Sequence, residues 1–163
     1  MIELDYMINT LSLDLSTVDS GWAIFQDNDL SFYGDFKPSK KENVYDRNWD
    51  QILNIKDLIL HKNINQVVFE DSFSSIRNKQ VVIKLNRLAG MIIYICYENN
   101  IPFYTLPPKY VKKIFSGNGN ATKELMIEHV NKKYNLKTQE LYSWFEDGEV
   151  IIQKFEVINK ELD

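Results

Sequence analysis

Two carboxylates stand out by where they fall. Asp14 lies in Leu11-Ser12-Leu13-Asp14-Leu15, where apolar and polar residues alternate. Glu70 closes Gln66-Val67-Val68-Phe69-Glu70, a short β-branched run. Both patterns read as strands, so each acid stands at a strand's carboxyl end. In open α/β sheets, sites form just beyond those ends. Two carboxylates side by side repel unless a cation joins them. Their hard oxygens suit Mg²⁺ or Mn²⁺, ions that keep several waters and engage substrate phosphates. A pair of such ions ~3.5–4 Å apart can activate a water and stabilise the leaving oxygen in phosphodiester cleavage. Singly, Asp14 could instead cap a turn through the amides of Ser16 or Thr17, and Glu70 could be a strand-end surface charge. Asp71 would face away from Glu70 if the strand continued, and it ranks lower.

The elements decide whether the two acids meet. A first strand around residues 11–15 is followed by a turn at Asp19-Ser20-Gly21 and a second strand, Trp22-Ala23-Ile24-Phe25. The polar stretch Gln26-Asp27-Asn28-Asp29 reads as a hairpin turn, and residues 30–36 as a third strand. Short connections imply an antiparallel meander. Trp49, Ile52, Leu53, Ile55, Ile59 and Leu60 recur at helical spacing, which predicts a helix over 44–62. The Gln66–Glu70 strand is thus reached through a helix and should lie parallel to a strand already formed. Pairing with the first strand would bring Asp14 and Glu70 to one rim. Residues 79–99 form a long helix, apolar enough to be buried on more than one side. Residues 101–105 form a fifth strand, at an edge because of Pro102. Pro107-Pro108 opens a short helix over 109–115, and a glycine-rich loop leads to a helix over 122–134. The order βββαβαβαα implies an α/β fold, a mixed five-stranded sheet flanked by helices. Residues 1–163 read as a single domain, with 137–163 as its tail.

The net charge of −4 is unevenly spread. Residues 1–75 carry 6 basic and 13 acidic side chains, residues 76–137 carry 11 and 3, and residues 138–163 carry 2 and 7. A basic middle between acidic flanks suits a DNA-binding surface beside a metal-binding cluster. Random scatter on a soluble domain is the competing reading. No apolar run approaches the ~20 residues of a membrane span. The acidic N-terminus lacks the basic start of a signal peptide, and the lone Cys96 reads as a packed core thiol. The expected location is the cytoplasm, with no membrane partner. Gly117 and Gly119 lack the GxxxxGK[ST] spacing, so no nucleotide cofactor is expected. His61 and His129 are lone and read as surface or helix residues.

Leu13-Asp14-Leu15-Ser16-Thr17…Gly21-Trp22-Ala23 resembles the first-strand motif of RuvC-type Holliday junction resolvases, the crossover junction endodeoxyribonucleases of the ribonuclease-H-like superfamily. Three more blocks follow in the family's order. Val67-Val68-Phe69-Glu70…Phe73 is similar to its second acidic strand, with an aromatic three residues on. Leu88-Ala89-Gly90 to Pro102-Phe103 is similar to its long helix and next strand. Pro107…Val111-Lys112-Lys113…Gly117-Asn118-Gly119-Asn120-Ala121-Thr122-Lys123 is similar to its basic helix, glycine loop and lysine, the most telling of the blocks. Phage-borne members are the expected nearest relatives, in a bacterial or phage-infected host cell.

The resemblance implies a ribonuclease-H-like fold and a homodimer that nicks four-way or other branched DNA with Mg²⁺. By motif match, Asp14 and Glu70 would be metal ligands. Lys112 and Lys123 would contact phosphates or stabilise the charged transition state, and Phe73 would stack on a base near the junction centre. Arg77, Lys79 and Lys113 join them as DNA-contacting candidates. Loop packing for Phe73 and a solvated helix face for the lysines are the competing readings. The family's pattern ends with two aspartates three residues apart on a helix. Here the tail reads Thr138-Gln139-Glu140-Leu141-Tyr142-Ser143-Trp144-Phe145-Glu146-Asp147-Gly148-Glu149, with no D-x-x-D. Glu146 and Asp147 are the late candidates for metal binding and catalysis; Glu140 and Glu149 are poorer ones. Residues 150–158 have strand character that the family pattern does not predict. A tail without two late carboxylates would hold a second metal poorly. Two alternatives therefore stand beside the nuclease: a branched-DNA-binding protein without activity, and a ribonuclease-H-like module for protein partners.

Overall fold

The computed structural model describes residues 7–27, 29–36, 43–71 and 78–135. Strands β1 (Asn9–Asp14), β2 (Ser20–Gln26) and β3 (Asp29–Phe36) form the antiparallel meander. Helix α1 (Val44–His61) leads to β4 (Gln66–Glu70), α2 (Lys79–Glu98) to β5 (Phe103–Leu106), and α3 (Pro108–Ser116) and α4 (Lys123–Tyr134) follow. The sheet order is β3-β2-β1-β4-β5. β4 pairs in parallel with β1 and with β5, which is an edge strand as Pro102 suggested. The second strand is longer than its apolar run: Ser20 and Gly21 already pair with β3, so the turn lies before them.

The two faces of the sheet follow from period-two alternation. Leu11, Leu13, Ile24, Val67 and Phe69 share one face and pack against Ile52, Ile55 and Ile59 of α1 and Leu88, Ile92, Ile95 and Cys96 of α2. Burying each such side chain contributes about 1.5–3 kcal/mol, so this cluster carries most of the fold. On the opposite face, Val68 and Leu106 meet Val111 of α3, while Ala23 and Phe25 meet Val130 of α4. α1 is capped by the Asn43 side chain, which accepts from the Tyr45 amide, and α4 by Thr122, which accepts from the Leu125 amide. Gly117 ends α3 in the left-handed region at φ 77°, where a Cβ would be strained.

Helix α2 departs from its sequence reading. It buries one face only: Val81, Ile83, Tyr94 and Tyr97 are exposed. It is also long and apolar enough, by length and composition, to match a membrane span. Its apolar content instead serves a face on the sheet and a separate exposed stripe.

Candidate active site at the ends of two parallel strands

Leu13 of β1 is in register with Phe69 of β4. One residue on, both strands end, at Asp14 and Glu70. Alternation puts Asp14 with Ser12 and Glu70 with Val68, the same face of the sheet. Both acids are half-buried, and both line one groove of about 760 Å³ at this rim. The joint reading of the two carboxylates thus acquires its geometry from the parallel β1–β4 pair.

The backbone beyond Asp14 is held by other side chains. The Ser16 amide donates to Ser20 Oγ at 2.9 Å, and Ser20 Oγ donates back to the Ser16 carbonyl at 3.1 Å. Ser16 Oγ accepts from the amides of Val18 and Asp19. From α1, buried Gln51 donates to the Ser16 carbonyl at 3.0 Å, and Arg47 donates to the Thr17 carbonyl at 3.2 Å. Of the two amides that Asp14 could have capped, that of Ser16 is thus taken by the Ser20 hydroxyl. The clamp from α1 fixes the strand end on which Asp14 sits.

Asp71 also lines the groove. Its amide donates to the Leu106 carbonyl at 2.9 Å, so the chain is still tied to β5 one residue past β4. Its alternation does oppose that of Glu70, but the groove straddles the rim and reaches under α2. Facing away from Glu70 therefore does not take Asp71 out of the site. Most of the rest of the wall comes from α2 (Val81, Val82, Leu85, Asn86, Ala89, Gly90, Ile93), from its cap Asn78, and from Phe103 and Thr105 of β5. Sequence reasoning passed over Asn78, Asn86 and Thr105. The available signal was Asn86, an amide inside an apolar helical run.

The basic candidates are dispersed. Lys79 opens α2 and Lys123 opens α4, both exposed. Lys112 and Lys113 lie on α3, the first half-buried and the second exposed. Among the described residues lining the groove, none of these four appears. Phe73, Arg77, Glu146 and Asp147 lie outside the described residues, as does the strand-like stretch 150–158. Among the described residues, no group of three or more His, Cys, Asp or Glu side chains is placed to hold a metal ion. Two strand-end carboxylates still fit a Mg²⁺-type ion, which is commonly bound by one or two carboxylates with phosphate oxygens and water completing its shell.

A mixed five-stranded sheet in the order 3-2-1-4-5, with two carboxylates at the ends of its central parallel strands, is a ribonuclease-H-like α/β fold. Residues 34–142 match the family model for crossover junction endodeoxyribonuclease RuvC, and the chain belongs to that family. Glu70 and Lys79, Lys112, Lys113 and Lys123 fall inside the matched stretch, and Asp14 precedes it. The chain is similar to the crossover junction endodeoxyribonuclease RuvC of Aliarcobacter butzleri, 31% identical over 133 residues, covering 79% of this chain and 85% of that one. It is 25% identical over 136 residues to that of Chloroherpeton thalassium, covering 81% and 73%. With that of Brachyspira hyodysenteriae it is 38% identical over 77 residues, 47% of this chain and about half (48%) of the relative. Among solved structures, Thermus thermophilus RuvC superposes with a TM-score of 0.76 at 18% identity, covering 94% of this chain and 96% of that one. The same protein in complex with a Holliday junction substrate gives 0.77 at 19% identity, with the same coverage. At these identities the superpositions carry the fold.

Proposed function

We propose that this chain is a structure-selective endonuclease that nicks Holliday junctions or other branched DNA by metal-dependent phosphodiester hydrolysis. The observation that carries this reading is the parallel β1–β4 pair, which ends in Asp14 and Glu70 at one groove of a RuvC-family chain. Nucleases of this family are metal-dependent, and one or two Mg²⁺ or Mn²⁺ ions suit the hard oxygens here. A bound ion would supply an activated water and neutralise charge on the phosphate. Asp14 and Glu70 hold and orient that centre, with the α1 clamp fixing the strand end beneath Asp14. Glu146 and Asp147 are the candidates for a second set of ligands. The apolar wall of α2 keeps one flank of the scissile phosphate dry, which strengthens the electrostatics there.

Lys112, Lys113 and Lys123 neutralise phosphates along the arms, with Lys123 also a candidate for stabilising the transition state; Lys79, Arg77 and Phe73 contact DNA nearer the centre. A single domain spanning the whole chain accounts for these assignments. Paired nicks need two sites, so the working unit is a homodimer. Its contact is the outer stripe of α2: Ile83, Arg87, Gly90, Tyr94 and Tyr97 recur at helical spacing and are all exposed. Arg87 donates to the Tyr45 hydroxyl at 2.6 Å, which ties α1 into the same surface. The reading places the protein in the cytoplasm of a bacterial or phage-infected cell.

The test is a synthetic four-way junction incubated with purified protein in Mg²⁺ or Mn²⁺, beside linear duplex of the same sequence. Symmetrical nicks in the junction alone are expected, with binding that weakens steeply as salt rises. Tight binding with no nick in either metal would remove the catalytic assignment, and no salt-sensitive binding would remove the DNA assignment.

A further inference from the structure

The two edges of the sheet are finished differently. At one edge, β5 has four residues and Pro102 just before it, a short edge of the kind that resists further pairing. At the other, β3 has eight residues, Asp29-Leu30-Ser31-Phe32-Tyr33-Gly34-Asp35-Phe36, and it is the last strand on that side among the described residues. It carries no proline or lysine, and its two charges stand toward its ends. The extra residue in its ladder with β2, Ser31, lies near its start and leaves Phe32–Phe36 in regular register. Phe32 is paired with Ile24 and so lies on the α1 face, where the Lys62 ammonium sits 4.3 Å from its ring centroid. Tyr33 is paired with Ala23 and lies on the α4 face. Both rings are exposed, at 44% and 39%. A long edge strand with an exposed aromatic on each face is a template for one more strand.

We propose that residues 150–158 of this chain pair with the outer edge of β3 as a sixth, antiparallel strand. The chain brings this occupant to the right place. Asn135 is the last described residue, and just before it Tyr134 packs against Phe25 and Leu30, its ring centroid 6.4 Å from that of Phe25. Helix α4 thus delivers the chain to the first residues of β3. Fourteen residues, 136–149, separate that point from Val150. They span up to about 46 Å, against about 25 Å for the length of β3, so the run reaches either end of the edge. Tethered this closely, it competes as though present at about millimolar concentration, ahead of a second copy in dilute solution. Val150-Ile151-Ile152-Gln153-Lys154-Phe155-Glu156-Val157-Ile158 has apolar residues on both alternations, which suits an edge with an aromatic on each face. Asp147-Gly148, directly before it, is a turn signal. A chain that climbs from Asn135 and reverses there enters at Phe36 and runs back toward Asp29, which sets the antiparallel sense. β3 points the same way as β1, since each is antiparallel to β2, so its Phe36 end belongs to the rim of Asp14. The pairing stands apart from the nuclease reading. Where that reading holds, the pairing also gives Glu146 a route to the metal. Glu146 is four residues before Val150, up to about 13 Å, and β1 lies three strand spacings from the added strand, about 14 Å.

The experiment uses the full chain without DNA or metal, so its outcome is independent of the roles of Asp14 and Glu70. Tyr33→Cys is combined in turn with Ile152→Cys, Gln153→Cys, Lys154→Cys, Phe155→Cys, Glu156→Cys and Val157→Cys. The native Cys96 is buried and stays out of the exchange. Under mild oxidation, disulfides within one chain are expected at alternate tail positions, at least about tenfold faster than at the positions between, because successive side chains of a strand face opposite ways. Moving the probe to Asp35→Cys, on the same face as Tyr33, should shift the reactive positions two residues toward Val150. Hydrogen exchange is the second readout. Gln153→Pro and Lys154→Pro, made together, remove a ladder bond whatever the register. The amides of Phe32–Phe36 that face away from β2 should exchange at least about tenfold faster in that variant than in wild type, with β1 and β4 unchanged. If β1 and β4 lose protection as well, the variant has failed to fold and the cysteine pairs alone decide. Even reactivity along the tail, crosslinks only between chains, a shift away from Val150, or β3 exchange unmoved in a folded proline variant would overturn the inference.

Discussion

Asp14 and Glu70 are the last residues of two hydrogen-bonded parallel strands, one step past the Leu13–Phe69 pair. Nothing local brings them together, since 55 residues and α1 lie between them. The relation exists because β4 returns beside β1 in the same direction.

From that relation, Asp14→Asn and Glu70→Gln should each cut the rate of junction nicking by at least about a hundredfold. That corresponds to losing roughly 3 kcal/mol of transition-state charge stabilisation. Junction affinity in Ca²⁺ should stay within about threefold, because these acids repel the backbone if anything. Asp71→Asn should fall between wild type and the two variants, as Asp71 reaches the same groove from the opposite alternation. Single-turnover cleavage beside a gel-shift titration separates the two effects.

The outer stripe of α2 should hold the homodimer. Tyr94 and Tyr97 are 65% and 73% exposed in the single chain, which is unusual for aromatics on an otherwise well-packed helix. Tyr94→Glu should give a monomer in sedimentation at micromolar concentration, with its circular dichroism spectrum and melting temperature little changed. Paired nicks should become unpaired while total nicking falls less. A dimer that survives Tyr94→Glu and Ile83→Glu together would place the contact elsewhere.

Gly34 should tolerate no side chain. It lies opposite Trp22 in the β2–β3 pair, and a Cβ there would come within 2.8 Å of Trp22 Cζ2. Trp22 is in turn stacked on Phe36, with ring centroids 6.1 Å apart. Gly34→Ala should therefore cost about 1–3 kcal/mol, the usual penalty for overpacking. Gly90→Ala is the contrast: a Cβ there meets nothing within 4 Å, and helix propensity favours alanine by about 1 kcal/mol. In the dimer the same change should weaken association. Urea midpoints of the two variants, with sedimentation of the second, check both claims.

Stability should fall in alkali before it falls near neutrality. Burial pushes the Cys96 thiol from 9.0 up to about 11. Between about pH 9 and 11 the unfolded chain gives up this proton while the folded chain keeps it, so the unfolded state gains. The loss approaches about 2–3 kcal/mol above pH 11 and is absent below pH 9. Tyr134 adds in the same direction, raised by burial and by the charge of Asp29. Urea melts from pH 7 to 11 should show a flat region and then a decline, and Cys96→Ser should lose part of the decline. A thiol reagent at pH 8 should label the native protein no faster than it unfolds.

The sequence by itself determined the elements and their order. Periodicity is local, and it marked five strands and four helices to within a few residues of their observed bounds. A helix between two strands nearly forces a parallel return, and the sheet places that return beside β1, where Asp14 and Glu70 meet. Motifs in that order were sufficient to point to the family. What only the tertiary structure decided is what surrounds the acids. An apolar helix of 20 residues reads the same whether one side or two are covered. Only docking on the sheet shows that α2 buries Leu88, Ile92, Ile95 and Cys96 and leaves Tyr94 and Tyr97 outside. The clamp from Gln51 and Arg47 to the loop after Asp14 joins residues more than 25 positions apart, with no pattern in the sequence to announce it. The groove forms where α2 faces the strand ends, so Asn86 and Thr105 line it together with Glu70 by packing, and Asp71 joins them because the rim is shared by both faces.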